Sequence, residues 1–338
     1  VTEVYGPYFS GIFMSVLENA AQRLTLPSPV EITGWDAVNG QFPDPSTVDA
    51  IIVTGSMAGA YDTYPWIKPL ADFIKLIYTK YPHVRIAGVC FGHQIICQTL
   101  LGPHGVIVEK HPGGFENGLQ TVVLNPKLVE YFPGLRDYIS TTSSSDGTRA
   151  APQVRLQLGH GDHVVLPKPP QALPGRWLPV GSTQHCHVQG LFEPGRVLTT
   201  QPHWECDSFI MSESFKYLFT PEKGFSREEI GKWAESTKGE HDSLAMQESV
   251  LQFLLGMLRN QKHKRRHEER HMYIGDGHST GWQHTRLALR LLIGITSVQV
   301  FGCYELIFPV SVRHNNPSSS ASRTTRSQSP VAVLDVPV

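Results

Sequence analysis

The 338-residue chain has 17% charged residues and a formal net charge of −1, so no global field points to nucleic acid or a membrane surface. No run reaches the length of a membrane span and no secretory leader is legible. Five cysteines, Cys90, Cys97, Cys186, Cys206 and Cys303, lack paired spacing, which argues against a disulfide scaffold and for a reducing compartment. The expected location is the cytoplasm, with the nucleus as the alternative.

Residues 10–26 place Ile12, Phe13, Val16, Leu17, Ala20, Ala21 and Leu24 at the spacing of an amphipathic helix. An α/β sheet ordinarily carries a strand ahead of such a helix, and that first strand is expected to be missing. Residues 30–35 predict a short strand and residues 39–46 a run of turns. Residues 49–56 predict a buried strand ending in a Gly55-Ser56 turn, and residues 66–78 a helix. Strands alternating with helices through Gly102 predict a three-layer α/β fold, a mostly parallel sheet with helices on both faces. Further strands are predicted over 106–109, 119–124, 154–158, 164–166, 185–191 and 196–201, with 136–152 as a surface loop. Late helices are predicted over 207–218 and 242–258. Past Leu258 come a basic run over 262–271, an apolar stretch over 287–301 that contains Arg290, and a Ser/Thr/Arg-rich stretch over 315–330. These predict a disordered tail. The expected organisation is one α/β domain over 1–258 and a tail over 259–338.

One stretch concentrates the chemistry. Residues 84–89 read as a buried strand, residues 91–101 as a helix, and Cys90 stands at the junction within Gly88-Val-Cys-Phe-Gly92. This is the G-x-nucleophile-x-G form of a strand-to-helix elbow, with Cys in place of Ser. The glycines serve a turn in which strand and helix backbones nearly touch. The free amides and positive dipole end of the helix favour a thiolate and can hold an oxyanion. The competing reading is that Cys90 is core, since free cysteines are among the most buried residues.

A cysteine nucleophile needs a base, and the base needs an orienting group. Among sixteen histidines the best candidate is His203, at the carboxyl end of a predicted strand and two residues before Glu205. In extended backbone His203 and Glu205 share a face, so the carboxylate can fix the imidazole tautomer.

Together these motifs resemble those of the class I glutamine amidotransferase family. Gly88-Val-Cys-Phe-Gly-His-Gln94 is similar to its G-x-C-x-G-x-Q element, and Gln201-Pro-His-Trp-Glu205 to its Q-G-H-P-E. The stretches Ile51–Ser56, Ala60–Asp62, Trp66-Ile67, Phe115–Gly118, His160–Pro167 and Cys186–Gln189 are similar to further segments of its stand-alone eukaryotic members, which include γ-glutamyl peptidase-like proteins. The resemblance covers about residues 1–258. It implies a flavodoxin-like sheet and hydrolysis of the γ-amide of glutamine or a γ-glutamyl compound through a thioester. Cys90 would be the nucleophile, His203 the base and acid, and Glu205 its orienter. The oxyanion would sit on the amides of Gly55 and Phe91, and Ser56 and Gln94 would bind substrate. Pro202 and Trp204 depart from the pattern on either side of His203.

The implied partner is a small γ-glutamyl substrate, with no cofactor, metal, nucleic acid or membrane. One alternative is a glutaminase subunit delivering ammonia to a separate synthase, and another a non-catalytic binding or regulatory member. A zinc site at His160, Asp162, His163, His185 and His187 ranks lower, because these residues already have places in the family pattern. Cys97, two helical turns beyond Cys90, is expected in the core rather than in a redox pair.

Overall fold

The run Ala50–Val53 (β2) is buried along its whole length and pairs in parallel with Arg85–Val89 (β3). Runs buried on both faces are what a central parallel sheet requires. The computed structural model describes residues 9–142, 151–168, 173–258, 291–292 and 329–336. Val30–Asp36 (β1) lies on the far side of β2, one strand away, and Val197–Thr200 (β11) pairs in parallel with β3. Leu191–Glu193 (β10) and Leu178–Pro179 (β8) close the other edge in antiparallel fashion.

The place between β1 and β2 is filled from the far end of the chain. Ser329–Asp335 (β13) runs parallel to β1 from Val30↔Ser329 to Asp36↔Asp335, and parallel to β2 at Val333↔Ile52 and Leu334↔Val53. The sheet path is therefore β1-β13-β2-β3-β11-β10-β8. The two-residue strand Leu291–Leu292 (β12) also pairs with β13. No strand precedes the first helix among the described residues, yet the position expected to be empty is occupied. Residues 329–335, assigned by the sequence reading to a disordered tail, belong to the sheet. The physical reason is alternation. Val331 and Val333 join the apolar cluster on one face, and Ala332 and Leu334 the cluster on the other, so every residue of this core is buried. Residues 259–290 and 293–328 of the expected tail lie outside the described residues.

Helices Phe9–Arg23 (α1) and Ser243–Leu254 cover the first face, with Phe13, Leu17, Val250, Leu251 and Leu254 packed on Ile52, Ala87 and Val333. Helices Ile67–Lys80 (α2) and Phe91–Leu101 (α3) cover the second, with Leu70, Ile74, Ile77, Ile95 and Ile96 packed on Ile51, Val53 and Ile86. This is the expected mostly parallel sheet between helical layers. Among the described residues no helix is long and apolar enough to cross a membrane.

A smaller antiparallel sheet leans over the carboxyl end of the large one. It comprises Glu116–Leu124 (β5), Gln153–His160 (β6) and Gly181–Ser182 (β9). Ile107–Lys110 (β4) and Asp162–Val165 (β7) form a separate pair. Three local expectations need correction. Residues 136–142 of the expected loop are helical, within Pro133–Thr142, because Leu135 and Ile139 sit one turn apart and bury together. Residues 185–190 of an expected strand form a turn, in which the Thr183 hydroxyl accepts from the Cys186 amide at 3.0 Å. An unexpected helix, Arg227–Ser236, starts at a capping box made by Ser226 and Glu229.

The buried place of β13 makes a direct prediction. Val333→Asp puts a carboxylate into a fully apolar slot and is expected to lower the unfolding free energy by about 3 kcal/mol or more. Chemical denaturation of the full chain measures this. Unchanged stability would remove β13 from the folded unit.

Candidate active site

Three strand ends meet at the carboxyl edge of the sheet, where parallel α/β folds gather their reacting groups. These are Thr54-Gly55 after β2, Cys90 after β3, and Gln201 to Glu205 after β11. Cys90 sits at φ 52° and ψ −108°, outside the ordinary range for a residue with a side chain. Such a conformation costs about 1–3 kcal/mol and persists only where its surroundings enforce it. Here the Cys90 amide donates to the Thr200 carbonyl at 2.9 Å, and the Cys90 carbonyl accepts from Gln94 at 3.1 Å. The flanking glycines permit the turn. A Cβ on Gly92 would lie 2.0 Å from the Val53 carbonyl oxygen, and one on Gly88 would lie 2.6 Å from the Gly92 carbonyl. The sequence expectation of a tight elbow is thereby met in detail.

His203 is fixed from three sides. Its amide donates to the Gln157 carbonyl of β6 at 2.8 Å, which ties it to the smaller sheet. Its Nδ1 lies 2.7 Å from Glu205 Oε1, and the side chains are 12% and 1% exposed respectively. The ring shares the cleft with Cys90, whose sulfur acts on its charge. Burial on its own would favour the neutral ring, but the Glu205 carboxylate and the Cys90 sulfur outweigh it. His203 is therefore held protonated well above the usual histidine range. An imidazole so placed can hold a proton beside a thiolate and pass it to a neighbouring group.

Cys90, His203, Glu205, Gly55 and Ser56 line one cleft. Its opposite wall is apolar, formed by Met211, Phe215, Leu218 and Phe219 at the end of helix Ser208–Leu218. Gly55 faces the reacting groups closely: a Cβ there would stand 3.2 Å from His203 Cε1 and 3.5 Å from Cys90 Cβ. Phe91 is the first residue of α3, so its amide is one of those left without an intrahelical partner. Gln94 is placed differently from the other expected site residues. It is buried, and its side-chain amide donates to the Gln201 side chain at 3.1 Å and the Asp162 carbonyl at 3.3 Å. It holds together α3, β7 and the segment before His203, and it is not among the residues lining the cleft.

The two departures around His203 have structural explanations. Trp204 is 1% exposed, its ring packs edge-on against Phe13 at 5.4 Å, and its carbonyl accepts from Gln247 at 3.1 Å. The Pro202 carbonyl accepts from the Thr200 hydroxyl at 3.2 Å. Both residues anchor the segment without separating His203 from Glu205.

A second Cys-His-Glu grouping exists at Cys186, His160 and Glu116, whose ligand atoms lie within 4.8 Å of one another. It is sealed. His160 lies 3.1 Å from Glu116 Oε2, which also accepts from Gln189 at 2.8 Å. Burial pushes the Cys186 thiol up to about 11, and its S–H donates to the Val188 carbonyl at 3.6 Å. A protonated thiol with no route to solvent is a poor nucleophile and a poor metal ligand. Among the described residues His203, Glu205 and Cys206 form the other grouping with metal-like spacing, but His203 and Glu205 already bond to each other and burial holds the Cys206 thiol well up. Of the histidines considered for zinc, His185 stacks on His111 and His163 meets the same ring edge-on, whereas His187 is exposed. Cys97 is core, as expected, with its sulfur 3.4 Å from His93 Nδ1.

The apolar wall was missed by sequence reasoning. Met211, Phe215 and Phe219 recur at i, i+4, i+8 in the helix directly after the His-x-Glu segment, which is the signal that could have found it. Gly159, whose carbonyl lies 3.9 Å from the Cys90 sulfur, carried no signal of its own.

No family model matches the chain. It is 28% identical over 272 residues to a glutamine amidotransferase-like protein of Schizosaccharomyces pombe, covering 75% of this chain and 93% of the relative. It is 25% identical over 219 residues to gamma-glutamyl peptidase 2 of Arabidopsis thaliana, covering 63% of this chain and 73% of the relative. Among solved structures, a glutamine amidotransferase from Thermotoga maritima superposes with a TM-score of 0.50 at 19% identity. That match covers 71% of this chain and 91% of that one, and it supports the fold.

The electrostatics of the pair are testable. Glu205→Gln removes the charge that raises His203, so burial prevails and the imidazole titration moves down. Histidine Cε1–H NMR, assigned with His203→Asn, measures it. Because His203 is raised in the folded state, its interaction with Glu205 contributes fully below the ordinary value of 6.5 and is lost as pH rises through the folded value. The stability gap between wild type and Glu205→Gln is expected to be largest just below pH 6.5 and to narrow as pH rises from there through the folded value. A His203 titration that does not move would contradict the pairing.

Proposed function

We propose that the chain, which is similar to glutamine amidotransferase-like proteins and to a gamma-glutamyl peptidase, hydrolyses the γ-amide bond of a γ-glutamyl compound, using Cys90, His203 and Glu205. The observation that carries this reading is a cysteine on a strained elbow that shares its cleft with an imidazole oriented by a buried carboxylate at 2.7 Å.

The Cys90 sulfur attacks the γ-carbonyl carbon, and the carbonyl oxygen takes up negative charge. The amides of Phe91 and Gly55 face that oxygen, and in hydrolases one such donor is worth about 2.7–4 kcal/mol of barrier. Collapse of the intermediate breaks the C–N bond, and the His203 proton goes to the departing nitrogen, so an amine or ammonia leaves. The acyl group then remains on Cys90 as a thioester. A water molecule gives its proton to His203 and attacks the thioester through a second oxyanion. Glutamate is released, and the proton on His203 restores the starting pair. Glu205 keeps Nδ1 as the donor to its carboxylate, which leaves Nε2 to serve the sulfur and the leaving group. The family relationship and the relatives named gamma-glutamyl peptidase support a small γ-glutamyl substrate. The apolar wall opposite Cys90 supports a leaving group larger than ammonia.

A panel of γ-glutamyl amides, with mass detection of the released amine, tests the reading. Cys90→Ala is expected to reduce turnover by at least about 10⁴-fold. A glutamine-analogue diazo-ketone should label the wild type at Cys90 and leave the variant unlabelled. A Cys90→Ala protein that keeps most of its turnover would refute the assignment.

A further inference from the structure

The C-terminal strand reaches the cleft through one residue. Thr54, fully buried, follows β2 and precedes Gly55. Its amide donates to the Leu334 carbonyl at 3.0 Å. Its hydroxyl donates to the same carbonyl at 3.3 Å and accepts from the Val336 amide at 3.1 Å. Its carbonyl accepts from the Gly92 amide at 3.1 Å. Every polar group of Thr54 is thus engaged, on one side by the end of β13 and on the other by the elbow helix.

The last of these bonds has a geometric consequence. The Thr54 carbonyl and the Gly55 N–H belong to one planar peptide unit, and in a trans unit they point in opposite directions. Holding the carbonyl on Gly92 therefore fixes the direction of the Gly55 N–H. The bonds to Leu334 and Val336 remove the remaining freedom of Thr54 to rotate that unit. We propose that Thr54 is a positioning residue through which the C-terminal strand holds the Gly55 amide toward the oxyanion. The inference rests on the functional reading above. It adds that residues 334–336, remote in sequence from Cys90, are part of the machinery for the oxyanion step.

Two substitutions in the full chain address the clamp from either side. Thr54→Val keeps the shape and removes the hydroxyl. Val336→Pro removes the amide that donates to that hydroxyl, just beyond the end of β13, and replaces the buried valine with a ring of similar size; the preceding extended residue tolerates proline. Each is expected to lower kcat by about 10- to 100-fold, less than outright loss of an oxyanion donor, with KM within about twofold of wild type. The double variant should fall no further than the worse single one, because both break the same contact. Thr54→Ser, which keeps the hydroxyl, should restore most of the turnover. Alkylation of Cys90 by iodoacetamide should proceed at the wild-type rate in all of them, since that displacement builds no oxyanion. If wild type hydrolyses γ-glutamyl amides and both variants turn over normally, the clamp is overturned. It is also overturned if alkylation falls in step with turnover, because the loss would then lie in the elbow as a whole. A wild-type chain that hydrolyses no γ-glutamyl amide overturns the functional reading, and the clamp with it.

Discussion

The approach of Gly92 to the end of β2 governs the site. With 2.0 Å between a would-be Cβ and the Val53 carbonyl oxygen, only glycine admits the contact. The contact brings α3 against the sheet directly behind Cys90, whose backbone takes a positive φ at the junction, and the helix begins at the very next residue, Phe91. The Thr54 carbonyl is bonded in the same approach. Strand, elbow and the turn at Gly55 are therefore not three independent features. A shift of the helix would loosen all of them together, as expected of close-packed backbone that has no slack to absorb it.

The other half of the site arrives by a different route. His203 leaves the large sheet at the end of β11 and is tied by its backbone to Gln157 of the smaller sheet. Trp204, packed on Phe13, and Glu205 beneath the imidazole fix the segment from below. The large sheet thus supplies the sulfur and the turn at Gly55, whereas the smaller sheet holds the imidazole against them. The helix at Ser208–Leu218 closes the remaining side with apolar residues, which lowers the local dielectric and strengthens the His203–Glu205 interaction.

Much of this was legible in the sequence, for identifiable reasons. Glycines framing a cysteine between a β-branched run and a helical pattern admit few conformations, so the elbow and the limits of α3 could be read locally. His203 and Glu205 were legible as a spacing, although nothing local stated that Gln157 would hold them in place. Gln94 was legible only in part, because sequence gives the position of a side chain on a helix and not its partner. Its side-chain amide bonds to the Gln201 side chain and the Asp162 carbonyl, partners that its helical position did not announce. The least legible element was β13. Its alternating Val331, Ala332, Val333 and Leu334 are too few to stand out after a Ser/Thr/Arg-rich stretch. Their pairing with β1 depends on closing a loop of nearly the entire chain, which no local pattern encodes. The helix at Pro133–Thr142 was obscured for a related reason, since its polar face merges in composition with the residues that follow.

The central claim is that a glutamyl group passes through the Cys90 sulfur. Rapid acid quenching during turnover of a γ-glutamyl amide, followed by tryptic digestion and mass spectrometry, tests it most directly. The peptide that begins after Arg85 and contains Cys90 should carry the mass of one glutamyl acyl group, and this should disappear in Cys90→Ala. Turnover with the adduct on Cys186, or with no adduct on any cysteine at any quench time, would contradict the account.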